Sequence, residues 1–158
     1  DVPLLVANLT GVDPKSWETA DRSLCAQVVG SLVHLVATVS PGAKLGSTAP
    51  HSFAHLVLAE AGTRQPCTLA NAFLAAVPTR GDLLAAAYGA LAQELVDLDW
   101  NFPGQPQRAH LARGQQERIA ILHRVPEKTE GAANPKPGAV GERLNLDALA
   151  AWVAAQVR

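Results

Sequence analysis

Methionine is absent from this chain of 158 residues, including position 1, so we expect a processed or partial piece of a longer protein. Cysteine is scarce, because Cys25 and Cys67 are too few for the disulfide framework of a small secreted domain. This scarcity favours a reducing compartment. No apolar run approaches the ~20 residues that a membrane span needs. We therefore expect a cytoplasmic protein that has no membrane partner.

The chain also lacks an excess of either charge, since 13 lysines and arginines stand against 14 aspartates and glutamates, for a net charge of -1. This excludes the global basic field that many free-standing nucleic-acid-binding proteins carry. The charges are nevertheless unevenly spread. Residues 82–99 contain four acids and no base, whereas bases predominate in residues 41–80 and 101–124. A local basic face for phosphates and ordinary solvated loops both remain open as interpretations.

Apolar residues make up 48% of the chain, which excludes a fully disordered one. Hydrophobic periodicity and turn residues predict a series of elements. They are a strand over residues 3–8, a helix over 20–39, a strand over 53–60, a short helical segment over 68–77, a helix over 83–98 capped by Asp82, a loop over 101–114, a strand over 117–125, a flexible insertion over 126–141 and a final helix capped by Asn145. The strand–helix–strand order at the start is half of a ferredoxin-like or RNA-recognition fold.

The glycine-rich segment over residues 42–48 invites comparison with a nucleotide-binding P-loop. It fails that comparison, because Lys44 precedes the second glycine and the segment leads from a helix into a strand. A glycine-rich loop with one lysine and two hydroxyls can still hydrogen-bond a phosphate backbone. The alternative is a plain connection between the helix and the strand.

Other residues with chemical potential are interpreted as structural or solvated. On a strand, His51 and His55 would lie ~13 Å apart, too far for one zinc ion, so no metal site is expected. Asp97 and Asp99 flank Leu98 at a predicted helix end and are interpreted as solvated charges. Cys25 lies in an amphipathic helix and is predicted to be a small core residue. We predict no catalytic residue and no cofactor.

Three segments carry a resemblance to a known family. They are Val-His-Leu-Val-Ala-Thr-Val-Ser-Pro-Gly-Ala-Lys at residues 33–44, Pro-Cys-Thr-Leu-Ala-Asn-Ala-Phe at 66–73, and Leu-Asp-Ala-Leu-Ala-Ala-Trp-Val at 146–153. In order and approximate spacing they resemble a helix with its following loop, a Pro-x-Ser-x-Ala-Asn-Ala-Phe segment and a C-terminal Leu-x-x-Leu-x-x-Trp-Val helix. These three features are those of the CasC family, whose members are the repeated backbone subunit of the type I-E CRISPR Cascade complex.

The resemblance implies the C-terminal portion of a longer subunit with an α+β fold. That fold is a partial RNA-recognition-like (ferredoxin-like) palm with antiparallel strands and packed helices, and it is helix-rich towards the C-terminus. We accordingly expect residues 1–125 to form the C-terminal part of the palm. Residues 126–144 are expected to form a flexible insertion or linker, and residues 145–158 a C-terminal helix that packs back on the palm.

The resemblance also implies a function without catalysis. Such a subunit binds guide RNA, oligomerises along the crRNA and helps to present it to target DNA in antiviral defence. Its expected partners are crRNA, target DNA, copies of itself and other Cascade subunits. Two alternatives remain open from the residues alone: a stand-alone α/β enzyme with a small-molecule site near residues 43–55, and a protein-interaction domain.

The resemblance places candidate nucleic-acid contacts by position. Lys44 is the principal one, Gly42 and Gly46 would let the backbone approach, and Ser47 and Thr48 can donate hydrogen bonds. Arg80 falls where the family resemblance suggests basic residues just after the Ala-Asn-Ala-Phe helix. Within that helix, Asn71 and Phe73 are interpreted as structural, the ring of Phe73 filling the core.

Overall fold

The computed structural model describes residues 1–39, 52–78, 80–102, 104, 106–123 and 140–157. This part of the chain contains five α-helices, three short strands and two 3-10 turns, each of which is bounded as follows. The helices are α1 (Val2–Thr10), α2 (Ser23–Thr38), α3 (Leu83–Asn101), α4 (Gln116–Leu122) and α5 (Leu146–Ala155), the strands are β1 (Leu56–Ala61), β2 (Gln107–Ala112) and β3 (Glu142–Arg143), and the turns are Pro14–Thr19 and Ala70–Phe73. None of the helices within these ranges is long and apolar enough to cross a membrane.

The predicted α+β class is confirmed. The strands form one sheet of order β1-β2-β3, and the arrangement is compatible with a ferredoxin-like description. The pair β2 and β3 is parallel, with Ala109 opposite Glu142 and His110 opposite Arg143, whereas antiparallel strands were expected. A parallel pair needs a crossover connection. The long connection from Arg113 to Gly141, which begins with α4, meets that requirement.

The predicted strand over residues 3–8 is wrong, because these residues belong to α1. The carboxylate of Asp1 accepts a hydrogen bond from the Leu4 N–H at 3.1 Å and caps the helix. Pro3 lies in the first turn, where its missing N–H costs nothing. Gly11 ends the helix at φ 77°, a left-handed conformation that favours glycine. A short apolar run cannot by its periodicity distinguish a strand from a buried helix.

Two further predictions fail between residues 101 and 125. The predicted loop over 101–114 contains β2, and residues 117–122 of the strand predicted over 117–125 belong instead to α4. Ile119 and Leu122 are buried on one face of α4, three residues apart, as helical geometry requires. In β2 the buried positions include Arg108 and His110, so burial there does not follow hydrophobicity. Both side chains can be buried on this strand because they have polar partners on other parts of the fold.

The long helices and their caps are confirmed. Asp82 accepts from the Ala85 N–H at 3.1 Å and begins α3, and Asn145 accepts from the Ala148 N–H at 2.8 Å and begins α5. Helix α2 agrees with the strongest periodic pattern in the chain. The second predicted strand overlaps β1, and the short helical segment is the 3-10 turn Ala70–Phe73. Most of the predicted insertion, residues 126–139, lies outside the described residues.

The chain divides into two compact units, of which the first comprises Asp1–Val57 and Leu144–Arg158. Its core contains Val6, Cys25, Ala26 and Val157, which confirms the prediction for Cys25. Burial raises the pKa of the Cys25 thiol. Helix α5 packs along α2. At this contact a Cβ on Gly30 would lie 3.5 Å from the Ala150 carbonyl oxygen, which is ordinary van der Waals contact with α5.

The second unit comprises Leu58–Arg143 and is built on α3, which packs against α4. Buried apolar residues lie on both helices. On α3 they are Tyr88, Leu91, Ala92, Leu95 and Val96, and on α4 they are Ile119 and Leu122. The Tyr88 hydroxyl donates to the Arg113 carbonyl at 3.3 Å. This bond satisfies a polar group on an otherwise apolar interface and ties α3 to the end of β2.

Candidate functional site

The predicted phosphate-binding loop lies outside the described residues, and so do its candidate contacts: Gly42, Lys44, Gly46, Ser47 and Thr48. The residues that flank it are described. The Ala54 N–H donates to the Ala37 carbonyl at 2.8 Å, at the C-terminal end of α2. A helix C-terminus carries a partial negative charge, which repels phosphate. A phosphate beside the C-terminal end of α2 would therefore gain nothing from the dipole of that helix.

Arg80 is described and exposed. Among the described residues, no acidic group lies within 4.0 Å of its guanidinium. Gly81 follows with φ 90°, and then Asp82 caps α3. The hydrogen bond from the Ala85 N–H, helped by the Arg118 side chain, lowers the pKa of Asp82. A carboxylate therefore already occupies the α3 N-terminus, and Arg80 is the basic group available to an incoming anion.

A cluster of four charges, which we call the ion cluster, lies in the second unit around the buried Arg108: Glu60, Arg64, Asp99 and Arg108. The Arg108 side chain is only 3% exposed. Its Nε donates to Glu60 at 2.6 Å, and its two terminal nitrogens donate to the two carboxylate oxygens of Asp99. Arg64 lies 3.9 Å from each carboxylate. Burial would lower the pKa of Arg108, but the hydrogen bonds to Asp99 and Glu60 outweigh it and raise the pKa.

The ion cluster shows that the prediction for Asp99 is wrong, and it removes two arginines from the predicted basic face. Asp99 is not a solvated helix-end charge, since its side chain is 16% exposed and paired, whereas Asp97 is exposed and accepts from Gln93. Arg64 and Arg108 lie in the two base-rich stretches, yet acids of the same unit neutralise them. Arg118 is likewise paired with Asp82. The uneven spread of charge along the sequence therefore serves internal pairing at these positions.

Sequence reasoning missed the ion cluster for a physical reason. Its members lie on β1, the turn after β1, the end of α3, and β2, so chain neighbours give no sign of it. The one available signal was an arginine within a short stretch that can be read as a strand. Because charged side chains are rarely buried without a partner, such an arginine indicates an acid elsewhere in the fold.

His110 forms a second buried polar group in the same unit. It is fully buried on β2, and its Nδ1 lies 3.2 Å from the Val140 carbonyl oxygen. The ring of His123, at the end of α4, lies 5.1 Å from it between centroids and is tilted by 52°. Burial, and then the nearby His123, lower the pKa of His110, so the imidazole is neutral at pH 7.

Helix α2 presents an apolar face to solvent. Its 16 residues include no lysine, arginine, aspartate or glutamate. The exposed large apolar side chains on this helix and its C-cap, which we call the α2 face, are Leu24, Leu32, Leu35, Val36 and Val39. Val36 is the most exposed of them, at 68%. Four of the five follow the i, i+3, i+4, i+7 spacing of one helical stripe, a pattern typical of a buried helix side. Contiguous exposed apolar patches mark interaction surfaces.

The segment that resembles the Ala-Asn-Ala-Phe motif also differs from expectation. Phe73 was predicted to fill the core, but it is 47% exposed, and the adjacent Leu74 is exposed as well. The 3-10 turn that carries them is only four residues long, too short to turn one side fully inward. Among the described residues, no group of three or more histidines, cysteines, aspartates or glutamates is placed to hold a metal ion.

Comparison with known proteins identifies one family. Residues 1–132 match the model of a family described as CT1975-like protein, a family of CRISPR-associated (Cas) proteins. The match covers most of the chain and includes both the 33–44 and the 66–73 segments. A comparison with curated proteins gave no match.

Proposed function

Because the chain belongs to the CT1975-like family of CRISPR-associated proteins, we propose that it is a non-catalytic, guide-RNA-binding backbone subunit of a CRISPR surveillance complex, of the CasC kind. The family match over residues 1–132 carries this proposal, since it contains the two segments that resemble CasC. The partners would be crRNA, target DNA, copies of the subunit and other subunits of the complex. The subunit would hold nucleic acid without cleaving it.

RNA recognition in this proposal depends on few charges. The net charge is close to zero, and the ion cluster neutralises Arg64 and Arg108 internally. Lys44 and Arg80 are then the basic residues that would meet phosphates. Gly42 and Gly46 would allow close backbone approach, and Ser47 and Thr48 would donate hydrogen bonds. Phosphate contacts of this kind position RNA without reading its sequence.

We expect Lys44→Glu to weaken RNA retention by the assembled subunit. Reversing the charge removes one phosphate contact and adds repulsion, so RNA should dissociate at lower salt. Each lost contact reduces the slope of log affinity against log salt by about 0.7 for a single strand. The measurement is the ratio of absorbance at 260 and 280 nm of the purified assembly across a salt series.

Lys15→Glu is the matched control, because it makes the same charge reversal at an exposed position on a different turn. It should leave RNA retention at the wild-type level. Equal retention by the Lys44→Glu, Lys15→Glu and wild-type proteins would contradict the site assignment. An assembly that contains no RNA at native salt would instead favour a protein-interaction domain.

The α2 face supports the oligomeric part of the proposal. Helix α2 has no charged residue, and it carries an apolar stripe on its exposed side. Exposure of such a stripe to water is unfavourable. Contact with another subunit would remove that stripe from solvent, at about 25 cal/mol for each Å² of apolar surface. The α2 face is therefore a candidate for subunit contact, separate from the phosphate-binding loop in sequence.

We expect Val36→Glu to impair assembly while leaving the subunit folded. Val36 is the most exposed member of the α2 face, so a carboxylate there costs little in the isolated chain but becomes buried in an interface. Size-exclusion chromatography with light scattering measures the assembly, and circular dichroism checks the fold. Gln27→Glu adds the same charge at an exposed polar position of α2 and should assemble normally. Equal assembly of the two variants would remove the α2 face from the proposal.

A further inference from the structure

The buried imidazole of His110 has one nitrogen whose role the proposed function does not explain. Its Nδ1 lies 3.2 Å from the Val140 carbonyl oxygen, which can only accept a hydrogen bond. Nδ1 therefore carries the ring hydrogen, and Nε2 presents a lone pair. Nε2 is buried and has no hydrogen-bond partner among the described residues. An unsatisfied buried acceptor of this kind is unfavourable unless something occupies its lone pair.

The tautomer is the one that metal-binding histidines adopt. A histidine that ligates a metal through one nitrogen nearly always donates its other N–H to a carbonyl or carboxylate, which fixes the orientation of the ring. The Val140 carbonyl has this role for His110, and β3 pairs with the strand that carries the ring. The Nε2 lone pair is thus pre-oriented as a ligand.

The position of His123 supplies a second ligand at a suitable distance. A metal–nitrogen bond of about 2.1 Å places the metal roughly 3.2 Å from the centre of an imidazole ring, so two rings on one tetrahedral ion have centroids about 5 Å apart. The observed separation of His110 and His123 is 5.1 Å. Because His123 is exposed, an ion can approach from its side of the pair.

We propose that His110 and His123 form a two-imidazole site for a borderline transition-metal ion of the Zn²⁺ class. Imidazole pairs select such ions over Mg²⁺ and Ca²⁺, which prefer oxygen ligands. Water would complete the coordination shell, since no third histidine, cysteine or carboxylate joins the pair among the described residues. The site would tie the end of α4 to β2 and so stabilise the second unit.

One neighbouring charge opposes the cation and limits the affinity. Arg143 on β3 acts on His110 electrostatically, but its guanidinium is directed to the Gln116 amide oxygen at 3.0 Å and the Ala112 carbonyl at 3.1 Å. Its hydrogen bonds therefore go to groups other than the imidazole of His110. We therefore expect a reversible site that equilibrates with free metal, and not a permanently loaded structural one.

A metal titration of the purified, tag-free chain tests the proposal. Zn²⁺ should raise the melting temperature of the wild-type protein, whereas Mg²⁺ at the same concentration should not. Co²⁺ should give the visible absorption of a tetrahedral centre. His123→Ala should raise the Kd for Zn²⁺ at least tenfold. Since His123 is exposed, this variant keeps the fold, which replacement of the buried His110 could disturb.

His55→Ala is the matched control, because it removes an exposed histidine of the chain outside the proposed pair. It should bind Zn²⁺ as the wild-type protein does. The proposal is overturned if Zn²⁺ leaves the wild-type melting temperature unchanged, or if His123→Ala binds Zn²⁺ as tightly as the wild type. It is equally overturned if His55→Ala, and not His123→Ala, abolishes binding.

Discussion

Arg108→Ala should lower the free energy of unfolding by about 3–5 kcal/mol, the loss typical of breaking a buried ion pair. The arginine is the centre of the ion cluster, where it holds Glu60 and both oxygens of Asp99. Without it, the carboxylates of Glu60 and Asp99 lose the partner that they share, and Arg64, at 3.9 Å from each, is left to compensate them. Urea unfolding followed by circular dichroism measures the change.

Arg118→Ala is the control for this prediction. Arg118 also pairs with an aspartate, but both side chains are more than one third exposed. Solvent-exposed pairs contribute about 0–1 kcal/mol, so this variant should unfold close to the wild type. Similar losses in the two variants would mean that the ion cluster is no more stabilising than a surface salt bridge. Arg108→Lys should fall between them, since an ammonium cannot match both oxygens of Asp99.

Gly141→Ala should destabilise the second unit by about 2–6 kcal/mol. This range is the sum of the cost of backbone strain and the cost of steric overlap. Gly141 has φ 70° immediately before β3, and a Cβ there would overlap the backbone carbonyl of Arg108. Because that carbonyl belongs to the backbone of β2, relief of the overlap requires separation of β2 from β3. The melting temperature and the unfolding midpoint in urea measure the loss.

Gly11→Ala separates the two contributions. Gly11 has φ 77°, nearly the same conformation, but a Cβ there would meet nothing within 4 Å. Only the left-handed strain remains, at about 1–2 kcal/mol. If Gly141→Ala costs no more than Gly11→Ala, the close approach of β2 and β3 at this position is not important for stability.

Internal charge pairing also bears on the proposed function. The chain has little long-range attraction for a polynucleotide, because its net charge is -1 and acids neutralise Arg64, Arg108 and Arg118. Binding by a single chain would accordingly be weak. Repetition along an RNA strand would add many weak contacts, which is consistent with the oligomeric subunit we propose.

The amino-acid sequence was sufficient to predict the elements whose signals are local. Helices α2 and α5 follow from helical periodicity, and Asp82 and Asn145 identify two helix starts, because a cap acts within one turn of chain. The burial of Cys25 follows from the same periodicity, whereas the α+β class was implied by the family resemblance. The two segments that resemble CasC also lie within the region of the family match.

Tertiary packing was required for everything that depends on distant partners. Residues 3–8 and 117–122 have apolar runs too short to distinguish a strand from a helix by periodicity alone. Arg108 and His110 are polar residues on a buried strand, tolerated because Glu60, Asp99 and the Val140 carbonyl reach them in the folded chain. A hydrogen bond or ion pair between residues far apart in the chain leaves no local pattern, so only the folded structure reveals it.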